Sequence, residues 1–344
     1  MSSHIERLKS QRLSTATAGT GVPVLIASDT PLIELPSVLQ RWRYTHAYWR
    51  GTLRNLTVKH GLRTEGVRTI AAPVTVTPSQ RQSWHRLFEG TSELPPHADG
   101  ASIEVPYMCN QSVGTLLYTN IFAQLGINFR HLLHVQHETK HWASVRDYIT
   151  AERQEVHVGI RGAFRLGEGK ALVAVRSAVH RSRAEGGALL STANDRFIIR
   201  NVPDEDLQRL VTGRAMLREL AELRRKDPQL DPSTPESVVS RIRLAPDLGK
   251  QFGRVSGDFN PVHTTRLAAR LFGIKRPFLQ GLGLRNAVIR QLAIHGRPLT
   301  RFNISFASPA FLGQTLRLVM QGDAFEVVGE GGEVVAFGAG SAEV

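Results

Sequence analysis

Two stretches of this chain carry the same order of local patterns, one amphipathic helix followed by several strand-like runs. In the first stretch, Val113, Leu116, Leu117, Ile121 and Leu125 fall near one face of a helix over residues 110–125, and Gly126 stops it. Strand-like runs follow at 131–138, 156–164, 171–181 and 196–200, with turns at Gly167, Gly169, Gly186 and Gly187. The second stretch begins with a strand over 238–244. A helix then runs over about 281–294, with Leu282, Leu284, Val288, Ile289 and Leu292 as its apolar positions. Strands at 302–306, 315–320, 325–328 and 333–338 come after it. The strand behind each helix is comparable: Leu132-Leu133-His134-Val135 in one, Phe302-Asn303-Ile304-Ser305-Phe306 in the other. A helix stripe and a one-faced sheet bury each other, so the pattern predicts a duplicated α+β unit.

The rest of the 344 residues frames these two units. Residues 1–20 are polar, with Arg7, Lys9 and Arg12 against a single acid, Glu6; a flexible leader is expected rather than a transit peptide. Residues 21–105 suggest strands at 24–26 and 70–76, a helix over 36–54 and a loop at 95–100. Pro73 places the second of these strands at a sheet edge. Whether 21–105 belong to the first module or form an extra layer stays open. Residues 203–236 form a linker: 204–225 favour a helix, and Asp227-Pro228, Asp231-Pro232 and Thr234-Pro235 break up its Pro-rich end. The expected layout is thus a leader (1–20), an N-terminal non-catalytic module (21–202), a linker (203–236) and a C-terminal catalytic module (237–344).

No run of about 18 apolar residues is present, so no membrane span is expected. One cysteine, Cys109, excludes an internal disulfide and points to a reducing compartment, the cytoplasm by default. The formal charge of +13 raises nucleic acid as a partner. Its basic residues are scattered, however, and no zinc-finger, helix-turn-helix or RNA-binding motif accompanies them. A basic surface also attracts phosphorylated cofactors and acidic carrier proteins.

The chemistry concentrates in Ser256-Gly257-Asp258-Phe259-Asn260-Pro261-Val262-His263. Asn260-Pro261 marks a turn that brings the Asp258 carboxylate and the His263 imidazole toward one small site. Such a pair can share a water, one group taking its proton while the other orients it. The spacing alone favours the plainer reading, a turn in which Asp258 caps the following helix and His263 sits on its first turn.

The full run resembles the signature of the MaoC-like, (R)-specific enoyl-CoA hydratase family: Ser-Gly-Asp, any residue, Asn-Pro, an aliphatic, His, then small residues, here Ala268 and Ala269. The resemblance is strong over about 240–344. It is faint over 106–200, which resemble the inactive half of double hot-dog members, and does not cover 1–105. It implies a double hot-dog fold, each module a long helix wrapped by a curved antiparallel sheet. It also implies reversible hydration of trans-2-enoyl thioesters to (3R)-3-hydroxyacyl thioesters, on coenzyme A or acyl carrier protein, with no metal and no cofactor.

By the same resemblance Asp258 and His263 are the catalytic pair, Asn260 fixes their geometry, and the Gly281 N–H binds the thioester oxygen. Many members carry His before this glycine; here Gln280 stands there, with a positioning role expected. Ser256, Gly257 and Gln280 are placed as substrate-binding, and Lys275 and Arg276 are candidates for the phosphates of coenzyme A. The two halves are expected to pack like a hot-dog homodimer within one chain, and a true homodimer is the other option.

His131, His134, His137 and His141 invite a metal reading, but surface or pocket-lining histidines are the expectation. Gly329, Gly331 and Gly332 read as a hairpin turn rather than a phosphate loop. The rival functions are a hot-dog acyl-CoA thioesterase, which lacks the Asp258-to-His263 signature, and a non-catalytic acyl-thioester-binding subunit, against which the intact motif argues.

Overall fold

The computed structural model describes residues 15–16, 24–25, 69–75, 78–91, 121–122, 126–128, 131–144, 147, 151–210, 213–214, 227–256, 258, 260–297 and 299–341. The expected helix over 36–54 and loop at 95–100 lie outside these residues, as do Gly257 and most of the expected helix over 110–125. The described end of that helix, Ile121 and Phe122, is helical and buried, and Gly126 follows it at φ 70°. Glycine adopts that left-handed backbone without steric cost, which is why the helix stops there.

A short pair, β1 (Thr15–Ala16) and β2 (Val24–Leu25), stands apart from the main sheet. The main sheet takes β3 (Thr69–Thr75), β4 (Leu132–His141), β5 (Arg153–Gly167), β6 (Lys170–Arg181) and β7 (Leu189–Arg200) from the first part of the chain. From the second it takes β9 (Val238–Arg243), β10 (Arg301–Phe306), β11 (Thr315–Gln321), β12 (Ala324–Val328) and β13 (Val334–Ser341). The spatial order is β3-β5-β6-β7-β4-β10-β13-β12-β11-β9. From the β4–β10 seam outward, each half therefore places its second, fifth, fourth, third and first strand in turn. That shared, non-sequential order is the fold-level mark of duplication. The seam is antiparallel, with registers from Arg301↔Lys140 to Ser305↔Gln136, so one sheet runs through both halves.

Among the described residues β3 pairs only with β5, and Pro73 lies on it, exposed, so the missing N–H falls on an edge as expected. Helix α1 (Pro78–Glu89) leaves that edge and packs on the other half. Its Trp84 and Phe88 meet Phe252 of α3 (Leu248–Ser256) edge-on at 5.6 and 6.3 Å. The described part of 69–91 thus joins both halves and is not a separate layer.

The expected helix over 204–225 is shorter in the structure. Helix α2 spans Asp204–Leu210, and Gly213–Arg214 form β8, which pairs parallel with Phe164 and Arg165 of β5. Gly213 is a poor helix residue, and the β5 edge offers backbone partners in exchange.

Helix α4 covers Arg266–Leu271, and the central helix α5 covers Gly281–Ile294, the bounds read from its apolar period. Every residue from Leu282 to Leu292 is buried, as expected of a helix surrounded by a curved sheet. Gln291 on its buried surface is satisfied locally: it accepts from Ser240 at 3.0 Å and donates to the Arg241 carbonyl at 3.2 Å.

Candidate active site

The motif lies between two short helices and folds on its own hydrogen bonds. Ser256, wholly buried at the end of α3, accepts the Asp258 N–H at 3.1 Å. The Asp258 carboxylate accepts the Asn260 N–H at 3.1 Å, and the Asn260 side chain accepts the Val262 N–H at 3.4 Å. Asn260 rather than Asp258 therefore caps the 3-10 turn Pro261–His263, and Thr265 caps α4 through Ala268 N–H. Ala268 and Ala269 are buried beneath this turn.

Three side-chain contacts tie the turn to the segment entering α5. His263 donates from Nδ1 to the Phe278 carbonyl at 2.9 Å, and its ring meets the Phe278 ring edge-on at 4.5 Å. Gln280 donates to the carbonyls of Asp258 and Gly249, both at 3.3 Å. Strap residues are held on the far side by Leu279 N–H to Ala310 and Leu312 N–H to Pro277. Asp258 and His263 thus reach the N-terminus of α5, where the first helical N–H groups lack intrahelical partners.

The histidine's protonation follows from its surroundings. Burial pushes the His263 pKa down, while Asp258 and the Phe278 carbonyl oppose burial without outweighing it. A neutral ring with Nδ1–H committed to a carbonyl keeps its lone pair on Nε2.

Two glycines permit the close approaches. A Cβ at Gly249 would overlap the His263 carbonyl oxygen, so α3 lies directly on this turn only because no side chain intervenes. A Cβ at Gly281 would come 3.2 Å from the Phe306 ring and 3.4 Å from His134 Nδ1. Gly249 has no motif signal in the sequence, since only folding sets it against His263.

Outside the motif, Lys275 is exposed, while Arg276 donates to Gln314 at 3.2 Å and lies 5.1 Å from the centre of the Phe311 ring. Of the histidine cluster, His131 faces Asn201 at 3.2 Å, away from the others. His134 and His137 converge on Asp195 of β7, with ligand atoms all within 4.8 Å of one another. Sequence reasoning missed Asp195; its only signal is the pairing His137↔Asp195 across the sheet.

A comparison with known families matches residues 229–337 to the family described as "MaoC like domain", a span that contains the whole motif and α5. Residues 229–337 are thus similar to the MaoC-like domain family.

The "3-hydroxyacyl-thioester dehydratase X" of Mycobacterium tuberculosis is 33% identical over 97 residues, which are 28% of this chain and 34% of the relative. The chain therefore spans about a third of that relative's length. Among solved structures, a MaoC-like dehydratase from Phytophthora capsici superposes with a TM-score of 0.59 at 14% identity, covering 83% of this chain and 99% of that one. HtdX of Mycobacterium tuberculosis gives 0.56 at 16% identity over 80% of this chain and 100% of its own. These likenesses extend beyond the MaoC-like domain into the first half and show a shared fold: the chain is an α+β, double hot-dog protein.

Proposed function

We propose that the MaoC-like domain adds water to trans-2-enoyl thioesters to give (3R)-3-hydroxyacyl thioesters, and catalyses the reverse dehydration. The observation that carries this reading is the hydrogen bond from His263 Nδ1 to the Phe278 carbonyl. It fixes the ring's plane and tautomer while burial keeps the imidazole neutral, so the Nε2 lone pair is presented beside Asp258 and at the mouth of α5.

In this reading a water held by Asp258 and His263 attacks C3, with Nε2 of His263 taking its proton. Negative charge moves to the thioester oxygen, where the Gly281 N–H and the helix N-terminus stabilise the enolate. One such donor contributes roughly 2.7–4 kcal/mol in the transition state. The proton then passes to C2. The thioester itself acidifies C2, so the reaction requires neither metal nor redox cofactor. Asn260 and Ser256 hold the Asp258 loop, and Gln280 locks that loop to the strap. Lys275 and Arg276 lie on the approach to α5 and are assigned to the phosphates of coenzyme A. The first half of the chain, which lacks the Asp258-to-His263 motif, shapes the acyl site, as the second subunit of a hot-dog dimer would.

The test mixes the full chain with crotonyl-CoA and with a longer enoyl-CoA and follows loss of the enoyl absorbance. Asp258→Asn and His263→Ala should each lower kcat by roughly 10²–10⁴-fold. No hydration by the wild type at any chain length, or variants as active as the wild type, overturns the reading.

A further inference from the structure

The first half carries a buried polar cluster that the mechanism above leaves unused. Asp195 is wholly buried on β7, and one of its oxygens accepts from His137 Nδ1 at 2.7 Å and from His134 Nε2 at 2.8 Å. His134 and His137 are three residues apart on β4, so a regular strand would point them to opposite faces. A β-bulge between His134 and Gln136 adds the residue that brings both to Asp195.

The hydrogen bonds of the cluster have one consistent direction. His134 Nε2 also lies 3.0 Å from the Gln136 carbonyl. Both of its partners are acceptors, so this nitrogen carries a proton in either charge state. His137 donates from Nδ1 to Asp195 and accepts at Nε2 from the Thr139 hydroxyl, whose oxygen accepts from Arg285 Nη2 at 3.1 Å. The donors and acceptors close without an ion. Burial drives the His137 pKa down to about 4, so that ring is neutral. Burial also opposes charge on Asp195, yet the two imidazoles outweigh it and hold the carboxyl below the usual range.

The other nitrogen of His134 faces the opposite half. The ring is stacked on Phe197 at 4.5 Å and tilted against Phe306 at 5.1 Å, which fixes its plane. Its Nδ1 borders Gly281, 3.4 Å from where a side chain would start, and carries no hydrogen bond among the described residues. A carboxylate that holds one imidazole nitrogen and aims the other at the reacting group is the arrangement that stabilises an imidazolium in acid–base sites.

We infer that His134, paired with Asp195, is a second donor to the thioester carbonyl oxygen beside the Gly281 N–H, so that the first half contributes a catalytic residue to the site of the second. This rests on the hydratase reading above. In the transition state the oxygen takes hydrogen bonds from the Gly281 N–H and from His134 Nδ1–H, and no bond to His134 forms or breaks.

The test compares His134→Phe, which keeps the stacking on Phe197 and removes the donor, with His134→Gln, which keeps an N–H of similar reach. The expected result is a kcat lowered roughly 10²-fold in the Phe variant, with KM changed much less, and partial recovery in the Gln variant. His134→Leu takes the place of the Phe variant if that one unfolds, as judged by circular dichroism. Wild-type activity and His263→Ala decide the hydratase reading separately. If they behave as expected while an apolar His134 variant keeps the wild-type kcat, the inference fails alone. A stoichiometric zinc ion in the purified wild type, lost from the His134 variants, also overturns it by assigning the cluster to a metal.

Discussion

The two halves share one strand order but put their polar residues in different places. In the second half the central strand β10 gives the core Phe302 and Ile304, and the candidate site sits on irregular backbone, at Asp258, Asn260 and His263. In the first half the central strand β4 gives the core His137, Thr139 and His141. An apolar strand leaves its half with a stable core and pushes function into loops. A strand rich in histidine makes the core itself sensitive to protons. The duplication thus separates a half that carries the Asp258–His263 motif from a half whose interior is electrostatically tuned.

Acid should break this comparison most strongly. Burial lowers His137 to about 4 and His141 to about 3, with Arg285 and His137 pushing His141 further the same way; His180 falls to about 4, mostly by burial. Each folded pKa lies below the unfolded value, so the unfolded chain binds the extra protons. Stability is then full above the ordinary histidine pKa, near 6.5, and falls as pH drops toward 4. A tenfold change in proton affinity corresponds to about 1.4 kcal/mol, so His137 alone accounts for roughly 3 kcal/mol. Thermal unfolding between pH 7.5 and 4.5 should show a falling midpoint. Hydrogen exchange at pH 5 should open β4, β6 and β7 before β10 to β13; the reverse order would show that the first half is not the acid-sensitive one. Activity should decline on the same side, because His263 must be neutral to take a proton, and its lowered pKa sets that limb below the ordinary histidine range.

Gly249→Ala should come next and should act on the second half alone. Alanine in a helix gains about 1 kcal/mol of propensity over glycine. The new Cβ would overlap the His263 carbonyl oxygen, and relieving that overlap costs about 1–3 kcal/mol or moves the turn. A displacement of the catalytic turn by about 1 Å can lower kcat roughly 10²-fold. The expected result is a large loss of kcat with a modest fall in melting temperature. Unchanged kinetics would mean that α3 does not position His263.

These contrasts also mark what can be read in the sequence. Helix α5 is legible because its apolar period runs unbroken from Gly281, and the motif is legible because Ser256, Asp258, Asn260 and His263 are close in the chain and fold on each other. The duplicated α+β organisation follows from repeated order, and its hot-dog character from the resemblance of the motif, although the helix expected over 204–225 gives way to β8 at Gly213. Asp195 is not legible, because it meets His137 across a ladder from 58 residues away in sequence. Nor is the role of His134, whose direction depends on a bulge, or Gly249, whose only signal is the clash it avoids. Local period and contiguous motifs are written in one dimension, whereas register is settled only when strands pair.

The smallest expected effect lies on the seam itself. Arg301 of β10 donates to Glu138 of β4 at 2.9 Å, a charged contact between the halves. Their side chains are 47% and 34% exposed, so water screens the pair, and exposed ion pairs contribute about 0–1 kcal/mol. The seam is held instead by backbone pairing from Lys140 to Gln136 and by Phe302 and Ile304 in the core. Glu138→Gln keeps the size and a weaker hydrogen bond, so the melting temperature should move by no more than about 2 °C, less at high salt, with kcat unchanged. A loss of several degrees, or separate unfolding of the two halves in calorimetry, would instead make this ion pair, rather than the continuous sheet, the coupling between them.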